Sequence, residues 1–525
     1  MGKQSLSRRI QNALTATNPR DRYAKIKEDF PQECAELEQA IGTVSVANLD
    51  DIPIEKAVRY AGRDADVTCR VDRVLNTTGG VRDALGKPPV EKIDLAVIPY
   101  YERMQSNGIA VNRKHFEDFG TLLDLEREEL GAEINRVAGR ELNPSSGDQC
   151  AEYLFGKLRL KPVDPETGRV LKPRMTKSRS RQSTDEKSLQ AVLTQHPIVP
   201  MIIHWRHFQK LKGTYVDGLI PWIQPDGRIR SRFSLTSSPN GQTAAYDPNT
   251  LAIPVDDEWG KEIRRGFVAP EGCTLATFDL DQWFMRILAH LSQDENMISV
   301  FHSGEDIHTK TASSMFKIPL DKVDKERHRA PAKRTGFGIC NGITGVGLSA
   351  QYDLNQERGT ARRSVEECDR DIESWLDTYP GVREFQEREI YNCRRRGFTE
   401  DLFGRIRFLP NIHSSIEQLR AEAERQSFTH VIQSTAHCIK KMMIAKIWEW
   451  LRCWDAFLPE GHLWRLEPIL EVHDELLYEL TDNEKLKKLA GKEIKTRMET
   501  AYSLAVPIGV HVAFAPNWAA LQELK

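Results

Sequence analysis

The sequence predicts an α+β fold, and three observations carry that prediction. Residues 305–400 read as mainly helical from their apolar spacing. Cys273 to Phe278 reads as a buried strand. Near the C-terminus, Ile469-Leu470-Glu471-Val472 and Leu476-Leu477-Tyr478-Glu479 flank the polar triplet His473-Asp474-Glu475, the pattern of a β-hairpin.

Taken in order, residues 1–60 are charged and partly helical in pattern. From Leu95 to Leu130 the spacing predicts helix, broken at Asn107-Gly108. Residues 141–185 gather Asn, Pro, Ser and Gly into loops around one helix, and a long helical stretch is expected from Lys187 to Gly213. After the 273–278 strand, Asp281 is expected to cap a helix in which Phe284, Met285, Leu288 and Leu291 share a face. In the stretch 327–342, Arg329, Lys333, Phe337 and Asn341 recur every fourth residue and so line one helical face. Pro331 is tolerated only in a first turn, which puts Arg329 just before that helix.

The 525 residues imply two to four domains or subdomains. No run of 18 apolar residues exists, so no membrane span is expected. Nor is an apolar leader visible in Met1 to Arg20. With 74 basic and 76 acidic residues the chain is not a generally basic nucleic-acid binder, so any such contact must use local patches. The clearest patch is Arg169, Lys172, Arg174, Lys177, Arg179 and Arg181, uninterrupted by an acid; its plain alternative is a solvated loop. Nine scattered cysteines without a C-x-x-C pair argue against a disulfide framework and a zinc site.

Asp279 ends the first strand and Asp474 sits at the hairpin tip, positions from which a rigid frame presents a carboxylate to solvent. Two such carboxylates on one sheet could share a pair of Mg²⁺ ions and serve an in-line phosphoryl displacement. Capped strand ends and solvated turns are the plain alternative. Two cations followed by an aromatic ring on the 329–341 face would suit a nucleoside triphosphate; an amphipathic helix with a basic end is the alternative there.

These residues resemble family A DNA polymerases, of the DNA polymerase I type, over roughly Tyr60 to Lys525. Asp279-Leu280-Asp281-Gln282-Trp283-Phe284-Met285-Arg286 is similar to the palm motif D-Y-S-Q-I-E-L-R. Arg329 and Lys333 through Gly342 resemble the fingers helix R-x-x-x-K-x-x-x-F-G-x-x-Y-G, and Val472-His473-Asp474-Glu475 the second palm motif. Supporting stretches include Asp247-Pro248-Asn249, Asp306-Ile307-His308, Tyr379-Pro380-Gly381-Val382 and Asn517-Trp518. Asn143 to Gln149 resembles the thumb tip, and Lys210-Leu211-Lys212 the thumb base.

The resemblance implies a right-hand fold: thumb at 91–235, a palm with an antiparallel sheet at 236–300 and 401–525, and helical fingers at 301–400. A remnant of an RNase H-like 3′–5′ exonuclease domain would occupy 1–90. It implies template-directed DNA synthesis from a primer 3′-hydroxyl, with two Mg²⁺ ions (Mn²⁺ being able to substitute) on Asp279, Asp474 and the Leu280 carbonyl, and Glu475 beside them. Lys333, Arg329 and His308 would bind the triphosphate, and Lys333 could protonate the leaving group. Phe337, Asn341, Phe284 and Gln282 would line the nucleotide pocket. Arg425, Gln433, Gln242, His473, Lys210, Lys212, Arg174 and Arg179 would meet the DNA. The partners implied are primer-template DNA, dNTPs and a separate exonuclease or replisome subunit. The setting implied is the cytoplasm of a bacterial or phage-infected cell.

The chain departs from the family pattern in several places. Phe284 stands where the family has a sugar-gating Glu; a bulky ring can still exclude a 2′-hydroxyl. Asn341 replaces the Tyr that partners that Glu, and Trp283 the usual Ile before it. Gln242 replaces an Arg that reads minor-groove acceptors. Because Gln also accepts, one reading is a preference for a template pair with an extra minor-groove amino group, such as 2-aminoadenine. Finally, Tyr60-Ala61-Gly62-Arg63-Asp64-Ala65-Asp66-Val67-Thr68 resembles only the last of the exonuclease's three carboxylate motifs, so no proofreading is expected from this polypeptide. Two other readings stay open: a non-catalytic primer-template binder, and a single-subunit RNA polymerase.

Overall fold

An apolar run, a polar break and a second apolar run fold back on themselves in water, and Leu466–Val472 and Glu475–Thr481 do so as an antiparallel hairpin. Its tip needs a residue with positive φ, and His473 takes that role at φ 51°. The computed structural model describes residues 89–523 apart from 164–169, 177, 179, 255–257, 355–362 and 454–463. The chain divides into two units, Met1–Lys87 and Pro88–Lys525. The first, which holds the Tyr60–Thr68 stretch, lies outside the described residues.

In the second unit the hairpin belongs to a five-stranded antiparallel sheet. Its strands are β1 (Cys273–Leu280), β2 (Leu466–Val472), β3 (Glu475–Thr481), β4 (Val510–Ala515) and β5 (Gln522–Glu523), in the order β5-β4-β1-β3-β2. Successive side chains alternate faces. Ala276, Phe278, Leu280, Leu476, Tyr478 and Leu480 enter one core; Leu275, Leu477 and Ile469 enter another on the opposite face.

Helices of eight or more residues are α1 (Pro89–Asn107), α2 (Arg113–Ala138), α3 (Ile198–Leu211), α4 (Glu258–Arg265), α5 (Trp283–Ser292), α6 (Glu295–Ser303) and α7 (Ile307–Phe316). Then follow α8 (Ala330–Cys340), α9 (Gly345–Leu354), α10 (Val365–Thr378), α11 (Pro380–Arg396), α12 (Glu417–Leu451) and α13 (Glu484–Glu499). The 35-residue α12 is about 50 Å long at 1.5 Å per residue, enough to run from the sheet to the 305–400 helices. None of the described helices is long and apolar enough to cross a membrane.

The break expected at Asn107-Gly108 is present, with Gly108 at φ 59° and the short strand Ile109–Ala110 after it. Three expectations change. The stretch Lys187–Gly213 is not one helix: Glu186–Gln190 ends in turns, and α3 starts only at Ile198, after Pro197. Asp281 does not cap α5. Gln282 is the cap residue, in the left-handed region at φ 49°, and Asp281 instead pairs with Arg286 at 2.6 Å. A boundary at residue 91 would group α1 with the thumb, yet Val97, Tyr100, Tyr101 and Met104 pack in the core of the sheet. Asp94 also ties α1 to Lys441 at 2.8 Å and Arg405 at 2.9 Å.

Candidate active site

The antiparallel register sets Asp279 on β1 directly opposite Glu475 on β3, and the Leu280 N–H donates to the Asp474 carbonyl at 3.2 Å. Cross-strand partners have Cα atoms about 4.5–5.5 Å apart. Two residues some 195 positions distant in sequence therefore meet at the end of the β1–β3 ladder, on the same face of the sheet. On the other flank of β1, His511 of β4 is the register partner of Asp279, and its Nε2 lies 3.8 Å from Asp281.

Electrostatics follow from this crowding. Burial pushes the Asp474 carboxyl up to about 6; Asp279 and Glu471 add to the rise, while Lys440 opposes it. Burial raises Glu475 to about 7, with Asp279 adding and Arg264 opposing. Asp279 is open to solvent, yet the protein around it still raises its pKa, chiefly by desolvation. Three carboxylates thus share a place where their charges repel, which a divalent cation would relieve. Among the described residues no group of three or more His, Cys, Asp or Glu is gathered for a metal. A pair of hard oxygen donors at the ends of neighbouring strands fits Mg²⁺, which keeps waters and substrate phosphates as its other ligands.

Supporting residues escape sequence reasoning. Glu475 is held by Trp518 Nε1 at 3.3 Å and by Arg264 at 4.0 Å, whose guanidinium lies 4.0 Å over the Trp518 ring. The buried Lys440 donates to the His473 carbonyl at 2.5 Å and pairs with buried Glu471, which also accepts from Tyr101. Lys440 falls inside a long helix where nothing in the spacing marks it. Arg264 and His511 are placed only by tertiary register.

The second expected constellation also gathers. A cavity of about 710 Å³ is lined by Arg329, Lys333, Phe337 and Asn341, with Arg334 and Gln351 among the others. Arg329 lies one residue before α8, and a π turn at Lys325–Arg329 leads into it. His308 stands beside the Phe337 ring, centroids 5.7 Å apart, and Lys333 Nζ lies 5.7 Å over the same ring. Asp306 caps α7 through Thr309 N–H at 2.6 Å and grips Arg329 at 2.7 and 3.0 Å, so its carboxyl is held far below the usual range despite partial burial. His308 is buried with Nε2 unpartnered, and desolvation brings its pKa down to about 4. Phe284 meets His437 edge-on at 6.0 Å, and Gln282 Nε2 bonds Asp281 at 3.1 Å.

The expected DNA-facing residues are divided. Gln433 and Asn341 are hydrogen-bonded at 2.9 Å, and Gln242 lies in the adjoining loop. Arg425 packs against Gly342, where a Cβ would lie 3.2 Å from its own. Lys210 lines a separate cavity with His204, His207 and Trp259. Lys212 is taken up by Asp124 at 2.9 Å and Asp217 at 3.6 Å. In the basic loop, Arg174 pairs with Asp185 at 3.5 Å and Arg181 with Asp148, acids supplied by the fold rather than by the neighbouring sequence. Arg169, Lys177 and Arg179 lie outside the described residues.

The chain is similar to known DNA polymerases. The chain is 36% identical over 423 residues to the thermostable DNA polymerase I of Thermus aquaticus, covering 80% of this chain and 47% of that protein. It is 32% identical over 498 residues to DNA polymerase I of Chloroflexus aurantiacus, covering 94% and 50%. The chain thus spans about half the length of the curated relatives it matches. Among solved structures, it is similar to the POL domain of Pol1 from M. smegmatis in complex with DNA primer-template and dNTP. The TM-score is 0.70 and the identity 31%, over 82% of this chain and 72% of that one. The family model for DNA polymerase family A matches residues 113–520, most of the chain, and the chain belongs to that family.

Proposed function

We propose that this chain extends a DNA primer against a template, using deoxynucleoside triphosphates. The observation that carries the proposal is the register pairing of β1 with β3, which sets Asp279 beside Asp474 and Glu475 at the end of the two strands. Asp279, Asp474 and the Leu280 carbonyl would hold two Mg²⁺ ions, which supply charge neutralisation for the attacking and leaving oxygens when bound.

The chain's own residues do the rest. Arg329 and Lys333 face a cavity large enough for a nucleoside triphosphate and would hold its phosphates. Lys333 Nζ holds a proton that the departing pyrophosphate can take. Phe337 would pack on the base and sugar, backed by His308. Phe284 stands at the base of α8 and would exclude a 2′-hydroxyl by bulk. Gln242, Gln433 and Arg425 would meet the primer-template, with Arg174 and Arg181 on its phosphates.

Primer extension with dNTPs and with rNTPs tests this. Wild type should extend with dNTPs, and Asp279→Ala and Asp474→Ala should each lower the rate by about 10³-fold or more while leaving primer-template binding in place. Extension that survives both changes, or none by wild type, would overturn the reading. Preference for rNTPs would point to RNA synthesis instead.

A further inference from the structure

Three side-chain amides and two backbone groups form one continuous hydrogen-bonded chain from the loop at Gln242 to the end of α8. Asn341 Nδ2 donates to the Phe337 carbonyl at 2.8 Å, Gln433 Nε2 to Asn341 Oδ1 at 2.9 Å, and Asn240 Nδ2 to Gln433 Oε1 at 2.9 Å. Asn240 Oδ1 then accepts from the Gln242 backbone N–H at 3.1 Å and from Ser238 Oγ at 2.5 Å.

The chain has a forced direction. A carbonyl can only accept, so Phe337 requires the Asn341 amine. That leaves Asn341 Oδ1 for Gln433, Gln433 Oε1 for Asn240, and Asn240 Oδ1 for the Gln242 N–H. Flipping any one amide sets like poles together at both its neighbours. Head-to-tail bonds of this kind also polarise one another. One end is the last turn of α8, whose earlier turns carry Lys333 and Phe337; Asn341 is its cap residue. The other end is a loop pinned by Gly241, at φ 73°, where a Cβ would come within 2.8 Å of Arg405.

We propose that Asn240, Gln433 and Asn341 act as a specificity relay: the seating of Gln242 on the nascent duplex is transmitted to the nucleotide-binding helix, so that a misfit primer end unseats α8. Asn240 and Asn341 are positioning residues that act through Gln433. This rests on the primer-extension reading, but its structural half does not need catalysis.

The test uses Asn240→Asp, nearly isosteric but unable to donate when ionised, together with Asn341→Ala and the double variant. The ratio of kcat/KM for a paired against a mispaired primer end should fall about five- to tenfold in each single variant, the size of one lost hydrogen bond, and no further in the double. Additive losses, or an unchanged ratio beside a uniformly lower kcat/KM, would overturn the relay. Hydrogen–deuterium exchange on the protein alone separates the two readings. Asn240→Asp should speed exchange in residues 336–341, about a hundred positions away in sequence; unchanged exchange there sinks the relay even in an enzyme that extends primers normally. Altered exchange in a protein that extends nothing would keep the relay and remove the activity.

Discussion

Asp474 stands where its own charge is costly in the metal-free protein. Its folded pKa of about 6 lies above the ordinary carboxylate value, chiefly through desolvation. A group with a raised folded pKa adds stability below its unfolded pKa and loses it as pH rises through the folded one. The window is therefore about pH 4 to 6, and the cost is fully present at pH 8. Asp474→Asn should raise metal-free stability by about 1–3 kcal/mol at pH 8 and by much less at pH 4, read from chemical denaturation at both pH values. Equal effects at the two pH values would contradict the raised pKa. His308 works with the opposite sign: its depressed pKa supports folding at neutral pH and is lost as pH falls through about 4. At Phe284, truncation to Ala should increase ribonucleotide use relative to deoxynucleotide use; an unchanged ratio would remove the ring from the gate.

At the scale of elements, a buried ion pair joins the strand Arg228–Ile229 to β3. Glu479 is fully buried and accepts from Arg228 at 2.8 Å, with Arg465 also in contact. Removing one member leaves an uncompensated buried charge, so Arg228→Met should cost about 3 kcal/mol in denaturant unfolding. A cost under about 0.5 kcal/mol would show that Arg465 suffices alone. This pair is also an example of what the sequence hides. The hairpin around His473, the strand before Asp279 and the face shared by Arg329, Lys333 and Phe337 were legible, because each is written in local periodicity. Lys440, Arg264, His511 and Asn240 were not, because their roles arise from strand order and helix packing. Asp281 misled for the same reason: a carboxylate before a helix suggests a cap, but Arg286 one turn on outcompeted the backbone for it.

For the molecule as a whole, a net charge of −2 means that the proposed nucleic-acid contact must rest on local patches. Arg174 and Arg181 are paired with Asp185 and Asp148 near the surface, and such pairs are worth little in water, so both cations can exchange partners for phosphates. Arg174→Ala with Arg181→Ala should reduce the slope of log affinity against log salt by about 2, close to 0.9 per phosphate contact, with no change in sequence preference. A slope identical to wild type would place the duplex elsewhere.

The pairing of Asp279 with Glu475 has a broader outcome. The alternation that puts these carboxylates on one face is the same one that turns Phe278 and Leu476 to the other. A slip of the ladder by a single position would exchange the side chains offered to the two cores and turn the acids off the face they share. Chemistry and folding are thus encoded by one pattern, and a chain that folds this sheet at all delivers its acids to the right place.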